Sequence, residues 1–206
     1  MIKIDSEKRK EYKIQPPPQH TVFEYGRGNI ADYMQKKGVL LQEKYRKKSE
    51  EERVESRVQE ELDFYIHEEA CEKMFHHCRE MALTEKEAMG FLIGDVKYWN
   101  KTYAVVYEVA TASLEASPVY VRFHREAFEE LFDRLDEIDY EYVLVGWYHS
   151  HLGYSSFMSV IDIETQKKYF NQPFHAALVI DPILGEMKAF RLSENECVEI
   201  PYAIFR

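Results

Sequence analysis

The feature that most constrains the fold of this chain is an alternation of short apolar runs with amphipathic segments, which begins near Asp63 and continues to the C-terminal end. Short apolar runs are typical of buried strands, and apolar residues spaced three and four apart predict helices between them. Because strands and helices interleave while several neighbouring strands can pair as hairpins, we predict an α/β sandwich with a mixed sheet flanked by helices. The predicted strands cover residues 64–66, 88–93, 103–109, 142–148, 176–180, 187–192 and 197–204, and the predicted helices cover residues 67–82, 127–138 and 159–170.

The first 60 residues differ in composition from the rest of the chain. Pro16, Pro17 and Pro18, followed by glycines up to Gly28, favour an extended arm. Residues 29–60 combine Gln, Glu, Lys and Arg with a thin apolar stripe, which predicts a charged helix. We therefore divide the chain into an N-terminal arm and charged helix, residues 1–60, and a folded domain, residues 61–206.

The charge is distributed unevenly between these two parts. Residues 1–60 hold 14 Lys and Arg against 11 Asp and Glu, whereas residues 61–206 hold 13 against 26. An acidic domain repels phosphate backbones, so we expect no nucleic-acid binding and favour a partner with a basic face. No apolar run approaches the roughly 20 residues of a membrane span, and the first residues are too polar for a secretory signal. These features predict a cytoplasmic protein without a membrane partner.

The segment that carries chemistry lies at the end of the strand predicted over residues 142–148. Residues two apart in a strand point to the same face, so His149 and His151 can present their imidazoles side by side. Asp162, in the first turn of the following helix, supplies an oxygen ligand. Two imidazoles and a carboxylate are ligands of catalytic zinc sites, which keep a fourth position open for water. The sequence therefore predicts a zinc site.

Two further side chains complete this candidate site. Glu87 immediately precedes an apolar strand and is the candidate acceptor for the proton of the attacking water. Ser159, three residues before Asp162, supplies a hydroxyl near the metal. The same Ser and Asp also match a capping box, which forms without any metal, and the two roles are compatible.

These residues resemble the motif of the JAMM metalloproteases of MPN domains. That motif is an upstream Glu, then His-x-His, ten residues and an Asp, with a Ser three residues before the Asp. Here it is matched by Glu87, His149, His151, Ser159 and Asp162.

The resemblance extends over roughly residues 62–193. The segments Gly146–His151, Glu164–Lys167 and Val179–Pro182 are most similar to the branch that contains the proteasome-lid deubiquitinase and the signalosome deneddylase. Leu152 departs from the pattern, because Pro usually follows the second His, and this substitution affects the rigidity of the loop more than metal ligation.

The resemblance implies a cytidine-deaminase-like MPN sandwich and a zinc-dependent isopeptidase. Its substrates are conjugates of ubiquitin or a ubiquitin-like modifier, cleaved between the modifier C-terminus and a lysine amine. Glu87 and Ser159 act as catalytic residues, as the proton acceptor and the oxyanion donor. Two alternatives stay open: a non-catalytic MPN scaffold, and a peptidase acting on small sulfur-carrier proteins.

The remaining expectations concern how substrates and partners are held. An extended modifier tail is readily fixed by pairing with an exposed strand edge, and residues 110–121 offer the best candidate edge. We expect Ser117, Val119, Tyr120 and Val121 to bind the substrate. The N-terminal arm is the candidate contact for a proteasome or another regulatory partner.

Overall fold

The computed structural model describes residues 12–40, 62–111, 143–194 and 196–206. The elements are β1 (Lys13–Ile14), β2 (Thr21–Glu24), α1 (Ile30–Lys36), β3 (Phe64–His67), α2 (Glu68–Leu83), β4 (Met89–Trp99), β5 (Lys101–Thr111), β6 (Val143–Ser150), α3 (Val160–Tyr169), β7 (Ala176–Asp181), β8 (Glu186–Ser193), β9 (Glu196–Ile200) and β10 (Ala203–Phe205).

The strands form one mixed sheet, as the sequence predicts. Its order is β2-β10-β3-β5-β4-β6-β7-β8-β9, and β1 pairs with the far half of β4. Hairpins join β4 to β5, β7 to β8 and β8 to β9 as antiparallel pairs, whereas β3 is parallel to β5 and β6 is parallel to β7. The predicted α/β fold class is therefore confirmed.

Several predicted boundaries differ from those of the structure. The strand predicted over residues 197–204 is two strands, β9 and β10, because Pro201 interrupts the ladder. In the region predicted as one helix over residues 29–60, α1 ends at Lys36, since Gly38 adopts φ +70° and the amides of Gly38 and Val39 donate to the carbonyls of Gln35 and Met34. That hydrogen-bond pattern is a Schellman motif, which stops a helix. Residues 41–60 of that prediction lie outside the described residues. The helix predicted over residues 127–138 lies outside the described residues.

The core is divided by the sheet into two layers. Alternate residues of β6 point to opposite faces, so Tyr148 packs with α2 on one face while Trp147 packs with Phe170, after α3, on the other. The buried residues of α2 lie three and four apart, as in an amphipathic helix: Ala70, Cys71, Met74, Phe75 and Cys78. Because of this alternation, Trp147 and His149 at the end of β6 lie on the same face of the sheet as α3.

The described part of the N-terminal segment is joined to this sheet. Strand β2 pairs antiparallel with β10, and Met34 of α1 is fully buried in the same core cluster as Phe64 and Ile66. Lys37 forms ion pairs with Glu68 and Glu72 of α2. A division of the chain at residue 60 stays a prediction, but residues 12–40 contribute strands and a helix to the core of the second part. No helix among the described residues is long and apolar enough to cross a membrane.

Candidate metal centre

The centre forms where β6 ends between two other strands. The antiparallel register pairs His149 with Met89 of β4, and the parallel register pairs it with Val179 of β7. The chain enters this position through Gly146, where a side-chain Cβ would lie 1.9 Å from the carbonyl oxygen of Ala176. A close approach of β6 to β7 at this point therefore requires glycine.

Three side chains that the sequence selects lie together at this edge. One ligand atom each from His149, His151 and Asp162 falls within 4.8 Å of the other two, and all three residues are buried. Asp162 Oδ2 lies 3.4 Å from His149 Nε2 and 4.0 Å from His151 Nε2. Among the described residues, no other group of three histidine, cysteine or acidic side chains meets this spacing.

The tautomer of His151 is set by the loop that follows it. Its Nδ1 lies 2.6 Å from the carbonyl oxygen of Ser155, so this nitrogen carries the proton and donates it. The lone pair of Nε2 is therefore free and faces Asp162. A ligating histidine is usually fixed in this way, by a hydrogen bond from its second ring nitrogen.

His149 is buried against an aromatic ring. Its imidazole stacks on the indole of Trp147, with ring centres 4.7 Å apart and 18° between the planes. Neither ring nitrogen has a hydrogen bond of acceptable geometry within the described chain, although Nε2 approaches Asp162. A buried nitrogen without a partner is costly, and a metal ion between His149, His151 and Asp162 would satisfy it. The residues present therefore fit zinc, the metal that the sequence predicts.

Asp162 and Ser159 form the first turn of α3. The amide of Ser159 donates to Asp162 Oδ2 at 2.7 Å, and the amide of Asp162 donates to Ser159 Oγ at 3.2 Å, which is the predicted capping box. Burial raises the pKa of the Asp162 carboxyl, but the interactions with His149 and Ser159 outweigh burial and lower it to about 2. The carboxylate is thus ionised, as a ligand must be.

Glu87 lies just before β4, across from the end of β6. The amide of Ser150 donates to the carbonyl oxygen of Ala88, which continues the β4–β6 ladder to this point, and the amide of Ala88 donates to Ser150 Oγ. The next position of the ladder aligns Glu87 with His151. Burial raises the pKa of the Glu87 carboxyl to about 7, with a smaller lowering by His149 and a further raising by Asp162. A carboxyl with a pKa near neutrality suits a group that both accepts and returns a proton.

The loop between His151 and α3 is held by two acidic side chains of the β7–β8 hairpin. Asp181 Oδ2 accepts from the amides of Gly153 and Ser155 at 2.9 and 3.0 Å. Glu186 accepts from the hydroxyl of Ser155 and from the amide of Ser156. These contacts fix the loop although Leu152 replaces the usual proline.

Sequence reasoning missed the side chains that position the ligands. Trp147 Nε1 donates to Gln166 Oε1 at 2.6 Å, which ties β6 to α3, and Asp181 is completely buried beneath the loop. The sequence shows these residues but not the hydrogen bonds that join Trp147 to Gln166 and the loop to Asp181, because the partners in these bonds lie 19 or more residues apart along the chain. The predicted substrate-binding residues Ser117, Val119, Tyr120 and Val121 lie outside the described residues.

A family model and two curated proteins are similar to this chain. A family model described as "JAB1/Mov34/MPN/PAD-1 ubiquitin protease" matches residues 59–172, more than half of the chain. COP9 signalosome complex subunit 5 of Kluyveromyces lactis is 37% identical over 98 residues, which cover 47% of this chain and 26% of that protein. Ubiquitin carboxyl-terminal hydrolase RPN11 of Saccharomyces cerevisiae is 33% identical over 139 residues, which cover 64% of this chain and 44% of that protein.

A solved structure supports the fold. The solution structure of protein DSY2949 from Desulfitobacterium hafniense aligns with a TM-score of 0.51 and 22% identity, covering 68% of this chain and 92% of that one. The chain spans less than half the length of the curated relatives named above. The match of the family model nevertheless covers the whole candidate ligand set, and the chain belongs to the JAB1/Mov34/MPN/PAD-1 ubiquitin protease family.

Proposed function

We propose that this chain is a zinc-dependent isopeptidase that cleaves the bond between the C-terminus of ubiquitin or a ubiquitin-like modifier and a lysine amine. The observation that carries the proposal is the ligand set of His149, His151 and Asp162, with the free Nε2 of His151 facing the carboxylate. An MPN scaffold does not need two buried imidazoles and an ionised carboxylate gathered at one point. The relatives named as a ubiquitin hydrolase and a signalosome subunit indicate the substrate class.

The side chains around this set have the chemistry that peptide hydrolysis requires. Zinc, when bound, supplies Lewis acidity toward the scissile carbonyl and the attacking water. The Glu87 carboxylate accepts a proton from the attacking water and delivers it to the amine nitrogen of the leaving lysine. The Ser159 hydroxyl accepts a hydrogen bond from the amide of Asp162, so its own proton stays available for the oxyanion that forms on the scissile carbonyl.

The surface next to the site supports a protein substrate. Four large apolar side chains are exposed in the segment between His151 and Asp162: Tyr154, Phe157, Val160 and Ile161. Phe157 also contacts His151 edge-on, with ring centres 4.8 Å apart. Neighbouring exposed apolar side chains are typical of protein-interaction surfaces. In this proposal the modifier tail approaches the site over them and pairs with the predicted strand edge near Val119.

The setting of this activity is also part of the proposal. Relatives are named as a 26S proteasome regulatory subunit and as a COP9 signalosome subunit, which favours a cytoplasmic protein that works with a larger assembly. The N-terminal segment is the candidate contact with that assembly.

Zinc content and cleavage together test the proposal. We expect about one zinc per chain by elemental analysis, and cleavage of a ubiquitin-like fusion that stops when a chelator is added. The double variant His149→Ala, His151→Ala should lose the zinc, whereas His76→Ala, which removes an exposed imidazole of α2, should keep it.

The Glu87→Gln variant separates catalysis from metal binding. It should keep the zinc and the fold while losing most turnover, because an amide does not accept the proton of water. A chain that binds no zinc and cleaves nothing would instead be a scaffold. Cleavage of sulfur-carrier fusions but not of ubiquitin or its close homologues would change the substrate class.

A further inference from the structure

A cleft that is separate from the metal centre lies between the N-terminal segment and the sheet. It has a volume of about 320 Å³ and is lined by Pro16–Pro18 of the N-terminal segment and by Tyr103, Tyr107 and Phe205 of the strands. Lys97, which also lines it, is eight residues further along β4 than Met89, the partner of His149. At a rise of about 3.3 Å per residue, the two sites are roughly 26 Å apart.

The cleft contains a buried positive charge. Lys97 is only 6% exposed, and its Nζ donates a hydrogen bond to the Tyr107 hydroxyl at 2.7 Å. Within the described parts of the chain, no carboxylate forms an ion pair with this ammonium. Lysine is rarely buried without an acidic partner, because removing the charge from water is costly. An ammonium has three N–H donors, so two remain for a ligand.

The other side chains limit what this ligand can be. Arg206 lies at the rim with its side chain 70% exposed, but its charge is balanced by Glu68, 2.6 Å away. His20, which also lines the cleft, is exposed, so Lys97 is the one buried basic side chain of the lining. A single buried cation matches a singly charged anion better than a phosphate dianion. The proline and tyrosine walls suit an apolar or aromatic body, and the volume lies at the lower end of the range of small-ligand sites.

We propose that this cleft binds a carboxylate with an apolar or aromatic body, and that the Lys97 ammonium is its ion-pair partner. Such a carboxylate is either the C-terminus of a peptide or a free organic acid. Binding requires neither zinc nor Glu87, so the site is independent of the isopeptidase proposal.

Isothermal titration calorimetry of the full chain with N-acetylphenylalanine tests the site. Its amide, which has the same ring and no charge, is the matched ligand. We expect the acid to bind at least about tenfold more tightly than the amide, since a charge-assisted hydrogen bond is lost with the latter. Lys97→Met should remove this preference, and Lys36→Met, at an exposed lysine of α1, should preserve it. If Lys97→Met does not fold, Lys97→Gln gives the same comparison.

A short peptide ending in phenylalanine separates the two sources. Binding at least tenfold tighter than N-acetylphenylalanine assigns the site to a peptide C-terminus, and equal binding assigns it to a free acid. The proposal is overturned if acid and amide bind equally, if folded Lys97 variants keep the preference, or if neither acid binds at about 10 mM.

Discussion

The Nδ1 of His151 lies 2.6 Å from the carbonyl oxygen of Ser155, and the amide of the same Ser155 donates to the buried carboxylate of Asp181. Ser155 has a positive φ of 76°, which is unfavourable for a side chain other than glycine. Asp181 holds the peptide in this conformation, so the orientation of a candidate metal ligand depends on a carboxylate that never touches it. Its other oxygen accepts from the amides of Ile183 and Leu184.

This relationship predicts that Asp181→Asn weakens zinc binding. An amide group places N–H donors against backbone amides that need an acceptor, so the loop shifts and His151 loses its fixed orientation. We expect zinc affinity, measured by competition with a chromogenic chelator, to fall by roughly 10- to 100-fold.

The matched control is Asp95→Asn, the same chemical change in β4 on a side chain that bonds its neighbour Val96. Zinc affinity should not change in this variant. A folded Asp181→Asn protein that binds zinc as tightly as the parent would show that the loop does not position His151.

The predicted role of Ser159 is tested by separating activity from stability. If the hydroxyl donates to the oxyanion, Ser159→Ala lowers kcat by about 10² to 10³. If it only caps α3, the variant loses roughly 1 kcal/mol of unfolding free energy and keeps its kcat. Asn29 caps α1 through its side-chain oxygen, which accepts from the amide of Ala31, and Asn29→Ala is the matched capping variant away from the site. Cleavage kinetics beside thermal unfolding decide between the two roles.

The ligands could be predicted from the sequence because their geometry is local. His149 and His151 are two residues apart in one strand, and Asp162 lies in the first turn of the next helix, so period and spacing bring them to one edge. The positioning residues could not be predicted, since Trp147 bonds Gln166 and Asp181 bonds Gly153 only after the strands and α3 have packed.

The fold of the N-terminal segment could be predicted only in part, because its partners are also distant in sequence. Its prolines and mixed charges indicate an arm, and residues 15–20 are irregular in the structure. Strand β2 nevertheless pairs with β10 at the far end of the chain, and Phe23 packs against Tyr33 and Tyr202. Local composition contains no information about a partner strand some 180 residues away.

The ion-pair cluster around Glu68 predicts a pH dependence of stability. A hydrogen bond from Arg206 is the largest cause that lowers the pKa of Glu68; burial opposes it, Lys37 adds to it, and the result is about 2. Because this pKa is lower in the folded than in the unfolded state, Glu68 stabilises the protein above about pH 4.5. That contribution is lost as the pH falls toward 2.

Urea unfolding of the parent and of Glu68→Gln tests this dependence. The difference between their midpoints should be large at pH 6 and should shrink progressively between pH 4.5 and pH 2. Glu69→Gln changes the neighbouring exposed carboxyl and should have little effect at either pH. A difference that stays constant over this range would show that the ion pairs do not stabilise the fold.

The last prediction concerns the contribution of the N-terminal segment to the core. Met34 is fully buried between α1 and the sheet, so Met34→Ala should lower the unfolding free energy by about 2–5 kcal/mol. Leu83→Ala, at a side chain that is 63% exposed, should cost little. A fragment beginning at residue 62 loses Met34 together with the pairing of β2 on β10, and we expect it to unfold at lower urea concentration than the full chain. Equal midpoints for the fragment and the full chain would show that residues 1–60 are a separate arm, because burial of Met34 would then contribute nothing to the stability of the domain.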